Sequence, residues 1–244
     1  MTCLQFKTGT FYLGDCFDVM ATLEAGTVDM VLCDLPYGTT QNKWDSVLPL
    51  NALWADYWRL LKSNGPAVLT AQCPFDKALG ASCLQHLKYE WIWRKTRATG
   101  HLNCKIQPMK AHENILVFYQ EQAGYVPQMT PGKKYAVRGG ASKKDNYGDF
   151  STARENDGLL RYPNSILEYG VDTGLHPTQK PVALFEYLIR TYTNPGELVL
   201  DNTAGSGTTA IAAIQSGRRW VCIERDPEYF AKACARVWEA EVGL

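Results

Sequence analysis

Of the 244 residues, the segment 197–210, ELVLDNTAGSGTTA, constrains the fold most. An apolar run of strand type ends in Asp201, glycines follow at Gly205 and Gly207, and a helical pattern begins at Thr208. Glycine at such a place permits a sharp turn and the close approach of a ligand to the backbone. The helix that follows presents free N–H groups at its N-terminus. Roughly 20 residues further on, the strand pattern WVCI ends in Glu224, a position from which a carboxylate accepts the two ribose hydroxyls of an adenosine cofactor. Ser206 and Thr208 complete the turn.

The turn alone leaves alternatives open. Gly205-Ser206-Gly207-Thr208-Thr209-Ala210 also fits the dinucleotide pattern G-x-G-x-x-A, and a purely structural glycine turn has the same spelling. A phosphate loop of the Walker type is excluded, because no lysine follows Gly207. Asp201, just before the turn, favours S-adenosylmethionine, which has a cationic amine and no pyrophosphate.

Apolar periodicity extends the pattern over most of the chain. Strands are expected at Thr27–Cys33, Ala67–Thr70, Tyr89–Trp93, Asn114–Tyr119, Glu197–Leu200 and Trp220–Ile223. Helices are expected at Leu48–Lys62, stopped by Asn64-Gly65-Pro66, and at Val182–Thr191, Thr208–Gln215 and Pro227–Val237. Strands alternating with helices imply an α/β fold with a doubly wound, mostly parallel sheet. Between Glu121 and Gly174 the texture changes to Gly, Asn, Tyr, Ser and charge, as in an insertion of loops and short strands. The expected organisation is a first half at 1–120, an insertion at 121–170 and a second half of the same domain at 171–244.

The second site is Asp34-Leu35-Pro36-Tyr37-Gly38, directly after a strand. Read alone, it is a tight turn. Its chemistry allows more. The acid and the carbonyl of residue 35, fixed by the following proline, can accept the two hydrogens of an amino group on a flat base. The Tyr37 ring can stack on that base.

DLPYG followed far downstream by DNTAGSGTT resembles the amino-methylating DNA methyltransferases, which modify adenine N6 or cytosine N4 and carry D/N/S-P-P-Y/F/W. His176-Pro177-Thr178-Gln179-Lys180-Pro181 resembles the segment that this family places before its glycine turn to close over the cofactor. Gly14-Asp15-Cys16 resembles its early contact to the cofactor adenine. The order of the motifs is that of the permuted β group. One departure stands out: Leu35 replaces the first proline of the tetrapeptide.

The resemblance implies a Rossmann-like S-adenosylmethionine-dependent methyltransferase sheet with an inserted target-recognition region. It implies catalytic roles for Asp34, Leu35, Pro36 and Tyr37, and cofactor contacts from Asp15, Cys16, Thr178, Lys180, Asp201, Gly205, Ser206, Gly207, Thr208 and Glu224. The strands ending at Asp34 and Asp201 would be neighbours. The implied partner is double-stranded DNA whose target base is flipped out, and Asp rather than Ser at position 34 favours adenine. A cytosine-N4 enzyme and a non-catalytic DNA-binding module are the rival readings. A homodimer is allowed, and no restriction-enzyme partner can be read from the chain.

Charge distribution agrees with a polyanionic partner. The chain has 25 basic and 25 acidic residues, but eleven basic and only three acidic ones fall between Lys88 and Lys144. Lys133, Lys134, Arg138, Lys143 and Lys144 form the densest cluster and are the expected DNA-binding residues. Eight scattered cysteines, with no basic-then-apolar leader in the first twenty residues, are expected as reduced thiols of a cytoplasmic protein, in a bacterial cell or phage-infected host. No run approaches the ~18 apolar residues of a membrane span. His101 and Cys104 have metal-like spacing without a second pair, so no metal is expected. Trp54, Trp58, Trp91 and Trp93 are expected as core residues or groove walls.

Overall fold

The structure, a computed structural model, describes residues 2–38, 46–133, 159–171 and 179–243. Its strands are β1 (Thr2–Gln5), β2 (Gly9–Leu13), β3 (Met30–Asp34), β4 (Ala67–Ala71), β5 (Leu87–Thr99), β6 (Lys110–Phe118), β7 (Thr130–Pro131), β8 (Leu160–Arg161), β9 (Ile166–Tyr169), β10 (Leu198–Asp201) and β11 (Arg219–Glu224). Its helices are α1 (Cys16–Met20), α2 (Leu50–Leu60), α3 (Phe75–Ser82), α4 (Val182–Tyr192), α5 (Thr208–Ser216) and α6 (Pro227–Val242). The chain divides into two compact units, one running to Val126 and resuming at Ser165, the other Pro127–Asn164. Within the second, β7 and β8 pair antiparallel.

Nine strands of the first unit make one sheet in the order β1-β2-β11-β10-β3-β4-β6-β5-β9. The run from β2 to β4 is parallel throughout. β6 runs antiparallel to both β4 and β5, whereas β9 lies parallel to β5. The central strands β10, β3 and β4 are buried on both faces, and alternation along each strand decides which residue serves which face. On β3, Met30 and Leu32 pack with α4, α5 and α6, while Val31 and Cys33 pack with α1, α2 and α3. This is the expected doubly wound α/β arrangement. The chain leaves β3 toward β4 and leaves β10 toward β11, in opposite directions, so a topological switch point falls between β3 and β10.

Local chemistry explains the helix boundaries. Pro181 stands at the N-cap of α4, where a missing N–H costs nothing. Asp226 caps α6 by accepting from the Glu228 and Tyr229 amides, and Gly217 ends α5 in the left-handed conformation.

Three differences from the sequence expectation have physical causes. The N-terminal pair β1–β2 was not expected, because β1 is an exposed edge strand without apolar alternation. β9, inside the stretch expected as an insertion, joins the main sheet beside β5. β5 and β6 extend beyond the apolar segments Tyr89–Trp93 and Asn114–Tyr119. Lys95 continues the buried alternation of Trp91 and Trp93, and Glu113 that of Ile115 and Val117. A charge at an inward position hides a strand from a reading based on hydrophobic period.

The seam between β2 and β11 requires glycine at position 9. Gly9 pairs with Trp220, and a Cβ there would overlap the indole ring and the Trp220 carbonyl oxygen. Gly9→Ala is expected to lower stability by about 1–3 kcal/mol, read as a lower urea midpoint with an unchanged slope.

Candidate active site

Five parallel strands bring their carboxyl ends to one edge of the sheet. These ends carry Gly14-Asp15 after β2, Asp34 on β3, Gln72 after β4, Asp201 on β10 and Glu224 on β11. Because β6 is antiparallel to β4, its first residues arrive at the same edge, as Ala71 pairs with Asn114. A second reversal returns the far end of β5, where Trp93 pairs with Glu113. A cleft of about 390 Å³ opens at this edge and is lined from Gly14, Asp15, Gly205 and Glu224 through Asp201 to Asp34, Tyr37 and Glu113.

The turn after β10 has the backbone its glycines predict. Gly205 has φ +49° and Gly207, the N-cap of α5, has φ +75°. A Cβ on Gly205 would meet no atom within 4 Å, while one on Gly207 would crowd Ala233 and Phe11. Gly205 therefore leaves room for a ligand, and Gly207 allows α6 and β2 to pack closely. Glu224 accepts from the Gly205 amide at 2.9 Å and from the Asp226 amide at 2.8 Å, one on each oxygen. Asp201 accepts from the Thr203 amide at 3.0 Å and the Thr209 hydroxyl at 2.5 Å. Burial pushes its pKa up to about 7, and burial also raises that of Glu224 against the pull of its backbone donors. Asp15 caps α1, accepting from the Phe17 amide at 2.8 Å, and Cys16 is buried. The Ser206 and Thr208 hydroxyls lie 3.3 Å apart, and Arg236 donates to the Ser206 carbonyl.

At the other end, Asp34 is closely surrounded. Its Oδ1 accepts from the Tyr37 hydroxyl at 2.6 Å and the Thr70 hydroxyl at 2.5 Å, and its Oδ2 from the Lys180 ammonium at 2.6 Å. Tyr37 stacks on Phe75, with ring centroids 5.2 Å apart. Burial, then Asp34 and Glu113, hold the Tyr37 pKa well above its ordinary value, so its hydroxyl remains a donor. Leu35 is buried in the core cluster around α2, an apolar environment that suits it as well as proline. Pro36 lines the cleft.

Lys180 was expected beside the cofactor turn, but its ammonium sits on Asp34, and only its carbonyl faces the turn, accepting from Thr208 at 3.4 Å. It also lies 3.3 Å from Glu113, which pairs with Lys95 at 2.7 Å. Burial opposes charge on Lys180, but Asp34 and Glu113 prevail and raise its pKa. Burial likewise opposes charge on Glu113, but Lys180 and Lys95 lower its pKa. Lys95, Glu113, Thr70 and Gln72 were not singled out in the sequence. The available signal was a charge on each strand continuing an apolar alternation. Lys95 also drops out of the basic surface, since it is buried.

Thr178, with His176 and Pro177, and Lys134, Arg138, Lys143 and Lys144 lie outside the described residues. Lys133 is exposed in the second unit. All eight cysteines are free, and His101 and Cys104 are exposed on a short turn. Among the described residues no group of three His, Cys, Asp or Glu could hold a metal, and no helix is long and apolar enough to cross a membrane.

Comparison with known proteins agrees with this arrangement. A DNA methylase family model, that of the N6 and N4 enzymes, matches residues 28–235. YubD of Escherichia coli (strain K12), which bears a methylase name, is 27% identical over 235 residues, covering 90% of this chain and 86% of its own. M1.HpyAVI, crystallised with SAM, superposes with a TM-score of 0.64 at 23% identity over 93% of this chain and 98% of its own. PvuII DNA methyltransferase, cytosine-N4-specific, gives 0.67 at 16% identity over 97% and 92%. These structural likenesses show a shared fold. The chain belongs to the DNA methylase family and is a DNA methyltransferase of the N6/N4 kind.

The state of Asp201 has a thermodynamic consequence. A carboxyl group whose pKa is higher folded than unfolded opposes folding once it ionises. Its contribution is therefore most favourable below the unfolded value near 3.8 and is lost as pH rises through about 7. Asp201→Asn cannot ionise, so between pH 5 and pH 8 it should lose less stability than the wild type, as measured by urea unfolding at each pH.

Proposed function

We propose that this chain is a site-specific methyltransferase that moves a methyl group from S-adenosylmethionine to the N6 amino group of an adenine flipped out of double-stranded DNA. The observation that carries this reading is the continuous cleft between the Gly205–Glu224 turn and the Asp34–Tyr37 turn. The residues at the first end fit the cofactor. Glu224 retains acceptor capacity for ribose hydroxyls, Gly205 leaves room for adenosine, and Asp201 suits a cationic amine. Asp15 and Cys16 stand at the same end, Ser206, Gly207 and Thr208 belong to the turn there, and the family resemblance assigns Thr178 to the cofactor.

When bound, S-adenosylmethionine supplies an electrophilic methyl group on a sulfonium centre. The remaining chemistry belongs to the chain. An aromatic amino nitrogen is a poor nucleophile because its lone pair is delocalised into the ring. Asp34 draws one of its hydrogens out of the ring plane, and the Leu35 carbonyl, restrained by Pro36, draws the other. A carboxylate has about four acceptor directions. Thr70 and Tyr37 occupy two on Asp34 Oδ1 and Lys180 one on Oδ2, which leaves one for the target. Direct transfer to the amino nitrogen needs no covalent enzyme intermediate, so the mechanism asks no thiol to act as a nucleophile.

Extrusion of the base costs a few kcal/mol, and stacking on Tyr37 returns about 1–3 kcal/mol. Lys133, Lys134, Arg138, Lys143 and Lys144 hold phosphates, while base-edge contacts from the inserted region at about 121–170 choose the site. Such work is cytoplasmic, in a bacterial or phage-infected cell. Aspartate at position 34 favours adenine over cytosine.

Labelled methyl groups should pass from S-adenosylmethionine to duplex DNA and be recovered, after hydrolysis, as N6-methyladenine. Recovery as N4-methylcytosine would overturn the adenine reading, and cofactor binding without transfer would point to a non-catalytic module. Asp34→Ala should abolish transfer while leaving calorimetric cofactor affinity largely intact. Joint replacement of Lys133 and Lys134 by alanine should raise the DNA KM and flatten the salt dependence by roughly one unit of slope per lost contact. Cofactor affinity should not change.

A further inference from the structure

We propose that Glu113 is a positioning residue for methyl transfer: anchored by Lys95 and Gln72, it shares the Lys180 ammonium with Asp34 and so keeps one Asp34 oxygen open to the target amino group. This inference rests on the reading of Asp34 as the acceptor of an amino hydrogen.

The contacts divide Glu113 into two halves. Its Oε1 is occupied by the Lys95 ammonium and the Gln72 amide, each at 2.7 Å. Its Oε2 faces Lys180 at 3.3 Å and the Tyr37 hydroxyl at 3.4 Å. Lys95, Glu113 and Lys180 are all buried, with exposures of 9%, 4% and 6%. With Asp34 they make two positive and two negative groups, so the four charges of this cluster balance one another, while Lys110, at the rim, donates to Gln72 at 3.1 Å. A balanced cluster suits a neutral nucleobase.

An ammonium is a compact point charge without directional preference. Facing a single carboxylate, it settles between the two oxygens, where attraction is greatest. The Asp34 Oδ1 side is already crowded by two hydroxyls, and Lys180 would then cover the last open direction on Oδ2. The second carboxylate pulls the ammonium off that midline. Lys95 in turn allows a second buried carboxylate to stay ionised.

The sheet has no need of this pair. Apolar residues of similar volume at the ends of β5 and β6 would cost less to bury. Trp93 and Ile115 already fill the neighbouring inward positions.

The test uses the full chain with Glu113→Gln, Lys95→Met and the double variant. Each single change strands a buried charge and should lower the melting temperature. The double variant removes one positive and one negative group together, and its melting temperature should return toward wild type. If Glu113 positions Lys180, kcat in the double variant stays about 100-fold down, with the KM values for DNA and S-adenosylmethionine nearly unchanged. If the double variant recovers wild-type kcat along with its stability, the pair serves folding alone and the inference fails. Should a single variant not fold, the double variant decides. Asp34→Ala separates the two readings. Full activity in that variant would sink the assignment of Asp34 itself, whereas an inactive Asp34→Ala beside a fully active double variant would overturn only the role of Glu113.

Discussion

The pairing of β3 with β10 sets up everything at the cleft. Met30 and Val31 lie against Val199 and Leu200, joining parts of the chain about 170 residues apart. The connections that follow β3 and β10 leave the seam in opposite directions, so the space beyond the strand ends stays open. The seam is also locked at its carboxyl end. The Thr203 hydroxyl donates to the Asp34 carbonyl at 3.1 Å, and the Cys33 thiol and the Tyr57 hydroxyl both donate to the Asn202 side chain. Asp34 and the glycine turn therefore keep a fixed relation, as group transfer between two bound molecules requires.

The two ends of the cleft differ in electrostatic character. Around Asp34, four charged groups cancel, and the two ammonium groups hold the buried carboxylate of Glu113 in its ionised form. At the other end, Asp201 and Glu224 accept from backbone amides and a hydroxyl. Among the described residues no lysine or arginine pairs with Asp201, and burial raises the pKa of both carboxyls. One end pairs its buried acids with buried ammonium groups, and the other holds Asp201 on a hydroxyl and a backbone amide, which suits a cofactor with a cationic amine. A buried charge that breaks its pairing costs several kcal/mol. The balanced end thus adds rigidity where geometry matters most.

Features whose causes are local were legible in the residues themselves. Gly205 and Gly207 take positive φ because the strand-to-helix turn demands it, Pro181 and Asp226 start helices for reasons of their own backbone chemistry, and Asp34 follows a continuous apolar run. The long helices and central strands were legible for the same reason, since each carries its period in its own residues. Tertiary structure decided the rest. The antiparallel reversal at β6 brings Lys95 and Glu113 to the edge where the parallel strands end, and no local signal announces which strand will run backwards. β9 joins the sheet through pairing with a distant strand. Lys180 belongs to a segment that resembles one closing over the cofactor, yet its side chain reaches Asp34, 146 positions away. A charged side chain on a strand reads as surface until its partner is known. Burial of such a residue is a property of the pair, and only the fold assembles the pair.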